Sequence, residues 1–191
     1  MTHLVEQPRT SEARERLLRT AADIFYREGI HAVGVDRVVS EAGVTRATFY
    51  RHFPSKDDLV RAYIALEDAA LRALFASAMD PDDPAANVDA IIHGIAADVE
   101  HHHTRGCPFI NAAAEFPDPQ HPVRVAVSAH RTWFVHTLRD VLAAAGHDGP
   151  EQLARRLVLL RDAALVGAYL DGPEITVPAF VSAAREVVTR G

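Results

Sequence analysis

The chain has 191 residues, of which 48% are hydrophobic, and its formal net charge is −6 at pH 7. This length fits one compact unit, or a small module joined to a larger one. No apolar run approaches the roughly 20 residues that a membrane span needs, and segment 1–10 lacks the charged and apolar regions of a signal peptide. Cys107 is the only cysteine, so an internal disulfide is excluded. We therefore expect a cytoplasmic protein without a membrane partner.

The acidic excess lies in the second part of the chain. Residues 1–60 contain nine Lys or Arg against nine Asp or Glu, whereas residues 61–191 contain eleven against seventeen. The N-terminal part is therefore neutral although the whole chain is acidic. This balance permits DNA binding by the N-terminal part but does not by itself establish it.

Helical periodicity of the apolar residues dominates the chain, and no segment shows sustained strand alternation. The first helix is expected to begin near Thr10 or Ser11, either of which can cap it, and to end at Gly29. Two short helices are expected to follow, at about 35–42 and 45–54, the second closed by a proline.

A long helix is expected next, because Ser55 and Asp58 form a capping pattern. Its predicted buried stripe consists of Leu59, Val60, Tyr63, Leu66, Ala70, Leu74 and Phe75. The prolines and aspartates of 80–84 then break the chain. Five more helices are expected, at about Ala85 to His102, Phe109 to Glu115, Val123 to Ala145, Glu151 to Leu170 and Pro178 to Thr189.

Residues 35–53 have the layout of a helix-turn-helix, in which the second helix enters the major groove of DNA. Gly43 stands between the two short helices and is the residue type required if the turn has a positive φ. Ala42 and Ala47 are small enough for close packing of the helices. The alternative is an ordinary tight αα-hairpin with a polar outer face.

The side chains around the second short helix have the chemistry that DNA requires. Its N-terminal N–H groups can bind a phosphate, and Arg46 can reach a guanine edge or a phosphate. Lys56 can bind the backbone as a point charge. Hydroxyl or imidazole donors to phosphate oxygens are present on Thr45, Thr48, Tyr50 and His52.

Five short motifs in this region occur in a fixed order. They are AADIF at 21–25, EG at 28–29, AGVT at 42–45, TFYRHF at 48–53 and SK at 55–56. With them, residues 14–63 resemble the tetracycline-repressor (TetR) family of bacterial regulators. Beyond Tyr63 the resemblance is one of layout only, to an all-helical domain whose last two long helices make a dimer bundle.

The resemblance implies a role for particular residues. Phosphate contacts are implied for Thr48, Tyr50, His52 and Lys56, and base contacts for Arg46 and Ala47. With Thr45, the predicted DNA-binding set is Thr45, Arg46, Ala47, Thr48, Tyr50, His52 and Lys56. The family often has Thr where this chain has Gly34-Val35, so the first short helix is expected to be capped by Gly34 or to fray slightly.

We therefore predict an all-α fold with an N-terminal three-helix helix-turn-helix DNA-binding domain at 1–56. A helical ligand-binding and dimerisation domain is predicted at 57–191. The predicted function is that of a ligand-responsive transcriptional regulator, a repressor that binds a palindromic operator as a homodimer and is released by a small apolar or amphipathic effector. Its predicted partners are double-stranded operator DNA, the effector and a second copy of the chain, with no cofactor and no metal.

Two apolar stripes on the last two long helices are candidates for the dimer interface. They comprise Leu153, Leu157, Leu160, Ala164, Ala168, Phe180, Val181, Ala184 and Val188. Small residues, including Gly167, would allow close approach of the helices. The alternative is that both stripes pack inside one subunit.

The middle helices are expected to enclose an effector pocket. Its candidate lining residues are Tyr63, Leu66, Ile92, Ile95, Val99, Phe109, Asn111, Phe116, His130, Trp133 and Phe134. Apolar residues at helical spacing are ordinarily core, so only part of this set is expected to touch a ligand.

Two alternative sensing modes depend on histidine and cysteine. His101, His102 and His103 lie near Cys107 and suggest zinc, but three consecutive helical residues cannot all face one ion. A lone thiol beside Arg105 could sense oxidants if it were exposed, although it is more often buried and inert.

An enzyme and a structural adaptor are the alternative protein classes. Acid–base pairs could come from Glu100, Glu115, Asp118, His121, His130 and Asp140. No phosphate loop, nucleophile elbow or paired metal motif is present, however, and either alternative would leave the Thr45 to Lys56 chemistry without a purpose. No catalytic residue is therefore predicted.

Overall fold

Nine α-helices and no β-strand are present among residues 11–190, the part of the chain that the computed structural model describes. The helices are α1 (Glu12–Glu28), α2 (Val35–Glu41), α3 (Arg46–His52), α4 (Lys56–Ala78), α5 (Pro84–His101), α6 (Pro108–Glu115), α7 (Pro122–Ala144), α8 (Pro150–Asp171) and α9 (Pro173–Thr189). The all-α prediction is confirmed. Thr10, one of the two proposed caps of the first helix, lies outside the described residues.

The chain forms two compact units, one up to Tyr63 and one from Ile64 onward. The first contains α1, α2, α3 and the start of α4. The second contains the rest of α4 and the helices α5 to α9, among which α8 packs against both α7 and α9. None of the helices in the described part of the chain is long and apolar enough to cross a membrane.

The helix starts follow the capping chemistry of the sequence. Oγ1 of Thr45 accepts a hydrogen bond from the Thr48 amide over 3.1 Å, which satisfies one of the free donors at the start of α3. Oγ of Ser55 accepts from the Asp58 amide over 3.1 Å and donates to the Asp58 carboxylate over 2.7 Å. Gly34 caps α2 without a side-chain bond, as its residue type requires.

The predicted buried stripe of α4 is wrong at three positions of its C-terminal part, although Phe75 is buried as predicted. Leu66, Ala70 and Leu74 are exposed. The face of α4 that packs against α7 is instead the one that carries Asp68, Arg72 and Phe75, which are spaced four and three residues apart and therefore lie on one side of the helix.

The last helix begins earlier than predicted. It starts at Pro173 rather than at Pro178, and Pro178 lies inside it. Proline is well suited to the first helical position, because its φ is already helical and its missing N–H has no partner there. Gly172 precedes it with a φ of 95°, a conformation that glycine adopts without strain.

Candidate DNA-binding surface and effector cavities

The turn between α2 and α3 needs a glycine. Gly43 has a φ of 62°, in the left-handed region that other residues adopt only with strain. The amide of Val44 donates to the carbonyl oxygen of Val39 over 3.2 Å, which ties the turn back to α2. The expected positive φ is therefore confirmed, and it lets the chain reverse between two closely packed helices.

Helix α3 is fixed in the first unit by its aromatic side. Phe49 is fully buried, and its ring lies 6.1 Å from that of Phe53, centroid to centroid. Arg37 of α2 forms ion pairs with Glu28 of α1 and with Glu41 of its own helix. The Glu41 hydrogen bond and the negative charges of both glutamates raise the pKa of Arg37. These contacts hold α1, α2 and α3 together and leave the opposite face of α3 to solvent.

Every residue predicted to bind DNA has accessible surface in the structure. Thr45, Arg46, Ala47 and Tyr50 are exposed, whereas Thr48, His52 and Lys56 are half-buried. The seven residues are brought together on α3, on its N-cap and on the first residue of α4. The surface therefore presents hydroxyl, guanidinium and ammonium donors side by side.

Local contacts orient several of these side chains. The hydroxyls of Thr45 and Thr48 lie 3.0 Å apart. Nε of Arg46 lies 3.0 Å from the Asp36 carboxylate, in an ion pair whose two side chains are both largely exposed. Because exposed ion pairs contribute little free energy, this one leaves Arg46 able to exchange its carboxylate for a phosphate or a base. Lys56 Nζ lies over the Phe25 ring, 5.9 Å from its centroid.

One cation of this surface was missed by the sequence interpretation. Arg51 on α3 is exposed, and it forms no ion pair with any residue that the structure describes. It directly follows Tyr50, which is 49% exposed. The signal that could have found it is its position outside the buried stripe set by Phe49 and Phe53.

Two neighbouring cavities lie in the second unit and share two lining residues, Phe134 of α7 and Arg161 of α8. The first, here called the apolar cavity, has a volume of about 60 Å³. Its other lining residues are Leu71, Leu74, Phe75, Ala78, Met79, Ala90, Ile91, Gly94, Ile95 and Asp98. The second, here called the arginine cavity, has a volume of about 180 Å³. Its other lining residues are Cys107, Phe109, Ile110, Ala113, Arg124, Val127, His130 and Arg131.

The arginine cavity takes its cations from two helices. Arg124, Val127, Arg131 and Phe134 recur at intervals of three and four residues, so one face of α7 supplies them all. Arg161 comes from α8 and is only 5% exposed.

A single carboxylate serves two of these arginines. Asp162 lies 2.6 Å from Arg131 and 3.4 Å from Arg161. The Arg161 guanidinium also contacts the Cys107 sulfur at 3.6 Å and stands over the Phe134 ring at 5.1 Å. Arg124 has no ion pair with any described residue, so positive charge is in excess at this cavity.

His130 is a buried titratable side chain of the arginine cavity with several contacts. It is 4% exposed, and its ring stacks on Phe109 with the centroids 3.5 Å apart and the planes 4° apart. Its Nδ1 lies 2.7 Å from a carboxylate oxygen of Asp68, while its Nε2 is buried and has no hydrogen-bond partner. The pKa of His130 is lowered, chiefly by burial and also by the charges of Arg161 and Arg72, although the Asp68 bond and charge act to raise it.

The predicted effector residues are divided among several environments. Four of them line one of the two cavities: Ile95, Phe109, His130 and Phe134. Tyr63 packs on Phe25 in the first unit, with ring centroids 6.1 Å apart. Leu66 is exposed, because α4 turns its Asp68 side towards α7 instead.

The other predicted effector residues have structural partners. Ile92 and Val99 are buried in the core. Phe116 stacks on His121, and the Asn111 side chain donates to the carbonyl oxygen of Arg105. Trp133 packs against Phe75 and under the Arg72 guanidinium. The arginines of the second cavity were absent from the sequence prediction.

Most of the residues predicted for the dimer interface have little surface to offer a partner. Those buried within the single chain are Leu153, Leu157, Ala164, Ala168, Phe180 and Ala184. The half-buried ones are Leu160, Val181 and Val188. The position of a Cβ on Gly167 would be 3.2 Å from Thr176 of α9, so the expected close approach occurs between α8 and α9 of one chain.

A different apolar stripe on α8 is exposed. Leu159, Ala163, Val166 and Leu170 follow one another at intervals of three and four residues, with Tyr169 beside them. Leu159 is 65% and Leu170 is 70% exposed. We call this set the α8 stripe.

The residues behind the metal and redox alternatives are separated in the structure. No group of three His, Cys, Asp or Glu side chains among the described residues could hold a metal ion. His103 bonds to Asp98 and lies near Glu67, whereas His101 is exposed. Cys107 is 1% exposed, so it lacks the accessibility that an oxidant sensor requires.

Comparison with known proteins agrees with this architecture. Residues 17–63 match the family model described as "Bacterial regulatory proteins, tetR family", and residues 84–183 match "Tetracyclin repressor-like, C-terminal domain". SCO4454, a TetR-family transcriptional regulator from Streptomyces coelicolor, is 45% identical, and its crystal structure has a TM-score of 0.89 over 95% of this chain and 96% of that chain.

Two curated relatives match over shorter stretches. YxaF of Bacillus subtilis, described as an uncharacterized HTH-type transcriptional regulator, is 26% identical over 64% of this chain and 66% of its own length. FasR of Mycolicibacterium smegmatis, an HTH-type transcriptional activator, is 40% identical over 28% of this chain and 24% of its own length. The chain thus spans less than two thirds of each of these relatives. With both family models matched, this chain belongs to the TetR family of DNA-binding transcriptional regulators, which are not enzymes.

Proposed function

We propose that this regulator is a repressor that binds a palindromic operator as a homodimer and is released from it by a small amphipathic effector. The observation that carries the proposal is the α8 stripe, an apolar surface that a single chain leaves in contact with water. A dimer that covers this stripe carries two α3 helices, one from each subunit. Operator symmetry then follows from the symmetry of the dimer.

The exposed face of α3 supports the DNA half of the proposal. The exposed side chains of Thr45, Arg46 and Tyr50 carry hydrogen-bond donors that no buried group occupies. Lys56 adds a cation at the start of α4. Phosphate contacts position such a helix, and a side chain such as Arg46 reads base edges. Residues 1–60 carry no net charge, so the affinity has to come from these local cations rather than from the whole chain.

Helix α4 supports the release mechanism. It begins with Lys56 at the proposed DNA surface and continues to Leu71 and Phe75, which line the apolar cavity. An effector that favours a different position of α4 would change the spacing of the two α3 helices in the dimer. A preference of a few kcal/mol for that position is enough to release the operator.

The dimer is tested by analytical ultracentrifugation of the wild type and of a Leu159→Glu/Leu170→Glu variant. We expect the wild type to sediment as a dimer and the variant as a folded monomer, because two carboxylates on the stripe cannot be desolvated without cost. Ala129→Glu, on an exposed position of α7, is the matched control and should stay dimeric. A variant that remains a dimer would refute the proposed interface.

Operator binding is tested by fluorescence anisotropy with the DNA upstream of the chain's own gene, over a salt series and beside a scrambled duplex. A sequence-specific repressor should bind the upstream DNA tightly, with an affinity that falls steeply with salt. Transcription from that promoter in vitro gives the sign of regulation. Lower transcript yield with added protein supports repression, whereas higher yield would make this chain an activator, as FasR is named.

A further inference from the structure

We propose that the arginine cavity binds the carboxylate of an aromatic effector, with Arg161 and Arg124 supplying the positive charge and Nε2 of His130 accepting a hydrogen bond from a hydroxyl or amide group of the same molecule. This inference rests on the proposed function, since it names the chemistry of the effector. Three observations carry it: the charge of the cavity, its aromatic walls, and a buried, unpartnered acceptor on His130, which is one of its lining residues.

The charge of the cavity selects an anion. Its lining residues include three arginines and no Asp or Glu. Among the described residues, Asp162 is the acidic side chain within ion-pair distance of these arginines, and it is shared between Arg131 and Arg161. Asp68, which bonds to His130, is also paired with Arg72 outside the lining. A buried guanidinium that is only partly compensated is costly in free energy, and a bound carboxylate would remove that cost. The planar guanidinium group also matches a carboxylate in a two-point hydrogen bond.

The walls of the cavity select a flat apolar body for that anion. Phe109 and His130 lie parallel and in contact, and Phe134 completes an aromatic wall. Ile110, Ala113 and Val127 supply aliphatic surface. Its volume of about 180 Å³ exceeds the roughly 150 Å³ that holds a benzene ring in a closed cavity, and because the cavity is partly open to solvent a second fused ring has room.

The apolar cavity extends this site. It shares Phe134 and Arg161 with the arginine cavity, and most of its lining residues are aliphatic or aromatic. A longer substituent on the effector could enter it without exposing further polar groups. The two cavities together therefore favour an amphipathic acid over a fully polar one.

His130 adds a second, directional requirement. Asp68 accepts a hydrogen bond from its Nδ1, so in the neutral ring the unpartnered Nε2 carries a lone pair. A buried acceptor without a donor is destabilising, and a ligand O–H or N–H would satisfy it. A carboxylic acid that has no hydroxyl or amide group would therefore contact only part of the site.

The preference of the arginine cavity for a negatively charged ligand is tested by isothermal titration calorimetry. The purified full chain is titrated with naphthoate and with its uncharged analogue naphthamide. We expect naphthoate to bind at least tenfold more tightly, which corresponds to about 1.4 kcal/mol. Arg161→Met should remove this preference, and Arg139→Met, on a cation outside both cavities, should keep it. Equal affinity of the two probes for the wild type, or no binding of either, overturns the inference.

The comparison of probes on the wild type needs no variant, so it stands even if Arg161→Met fails to fold. Arg124→Gln provides a second variant, because Arg124 has no ion pair to lose among the described residues, and it should also weaken naphthoate selectively. An unchanged preference for naphthoate in both arginine variants would place the carboxylate elsewhere and refute the assignment.

The role of Nε2 of His130 as a hydrogen-bond acceptor is tested with hydroxynaphthoate isomers and their methoxy analogues. The methoxy group cannot donate a hydrogen bond. At least one hydroxyl isomer should bind the wild type more tightly than its methoxy partner, by severalfold. The difference should vanish in His130→Asn, in which the amide nitrogen replaces Nδ1 as the donor to Asp68 while Nε2 is lost. A hydroxyl advantage that persists in His130→Asn, or that is absent from all isomers of the wild type, removes His130 from the site.

Operator anisotropy in the presence of each probe separates this inference from the proposed function. Naphthoate that binds the cavity without changing operator affinity supports the site and refutes the release switch, since coupling between ligands is reciprocal. Operator release by other compounds, with no binding of naphthoate, refutes the site and leaves the switch intact.

Discussion

Asp68 on α4 accepts a hydrogen bond from Nδ1 of His130 on α7, over 2.7 Å. The same carboxylate accepts a second hydrogen bond, from Nε of Arg72, over 2.7 Å. Burial raises the pKa of Asp68, but the hydrogen bonds from Arg72 and His130, together with their charges, lower it by more. The carboxylate is therefore ionised and can only accept, so the proton of the neutral His130 ring must sit on Nδ1. This one bond fixes which nitrogen of His130 is left for a ligand.

Replacing Asp68 by Asn should destabilise the protein. The substitution weakens the bonds to both Arg72 and His130, and we expect a loss of about 1 to 3 kcal/mol in the free energy of unfolding. Denaturant titration followed by circular dichroism measures it. Asp140→Asn, at an exposed carboxylate on the same helix as His130, should change the stability by less than about 0.5 kcal/mol. Equal effects of the two substitutions would contradict the structural role given to Asp68.

The stability contributed by His103 should disappear at high pH. Burial lowers the pKa of His103, but the hydrogen bonds to Asp98 and Glu67 and the charges of both raise it, to about 9 from the ordinary 6.5. A raised pKa in the folded state means that protonated His103 stabilises the fold. This contribution is complete below pH 6.5 and is lost as the pH rises through about 9.

The measurement is the difference in free energy of unfolding between the wild type and His103→Gln from pH 6 to pH 10. We expect about 1 to 3 kcal/mol in favour of the wild type at the acid end, since one unit of pKa shift corresponds to about 1.4 kcal/mol. His101→Gln, at an exposed histidine, serves as the control and should show no such trend. A difference that grows with pH would mean that His103 is neutral in the folded protein.

Gly43→Ala and Gly94→Ala should change stability in opposite directions. Gly43 has a positive φ, and a Cβ there meets no neighbour, so the cost of about 1 to 2 kcal/mol comes from backbone strain alone. Gly94 lies inside α5 with open space around its Cα, and alanine there should stabilise the helix by about 0.5 to 1 kcal/mol. Thermal unfolding distinguishes the two. A neutral Gly43→Ala would show that the turn can adopt another conformation.

Lys56→Ala should weaken operator binding and flatten its salt dependence. Removal of one phosphate contact from each subunit lowers the slope of log affinity against log salt by about 2 for a dimer. The slope is read from anisotropy titrations at several salt concentrations. Arg139→Ala, at a cation in the second unit, should leave both the affinity and the slope unchanged. An unchanged slope in Lys56→Ala would take this residue out of the DNA contact.

The sequence was sufficient for the positions of most of the helices because their starts and stops are local. Thr45 and Ser55 cap through bonds to residues three positions away, and Gly43 turns the chain by its own conformational freedom. The start of the last helix was misplaced because two prolines, Pro173 and Pro178, are both plausible first residues, and only the first begins the helix.

The positions of the predicted DNA-binding residues likewise depend on a short stretch of sequence. Those residues occupy one short helix and its flanks, so burial of Phe49 turns Ala47 and Tyr50 away from the core by the helical period alone. Arg46 stands three residues before Phe49 and so near the buried side, and its exposure is a finding of the structure. The DNA-binding role of the set remains a prediction until DNA is bound.

Tertiary structure decided which apolar and charged side chains share a cavity. Arg161 lies four residues after Leu157 and four before Leu165, both buried, so the pattern placed a charge on the inner face of α8 without showing what it meets. Its neighbours Cys107 and Phe134 are 54 and 27 positions away in sequence, and only packing of α6 and α7 against α8 brings them together. Periodicity gives the face of a helix but not its partner, because contacts between distant segments depend on how all the helices pack at once.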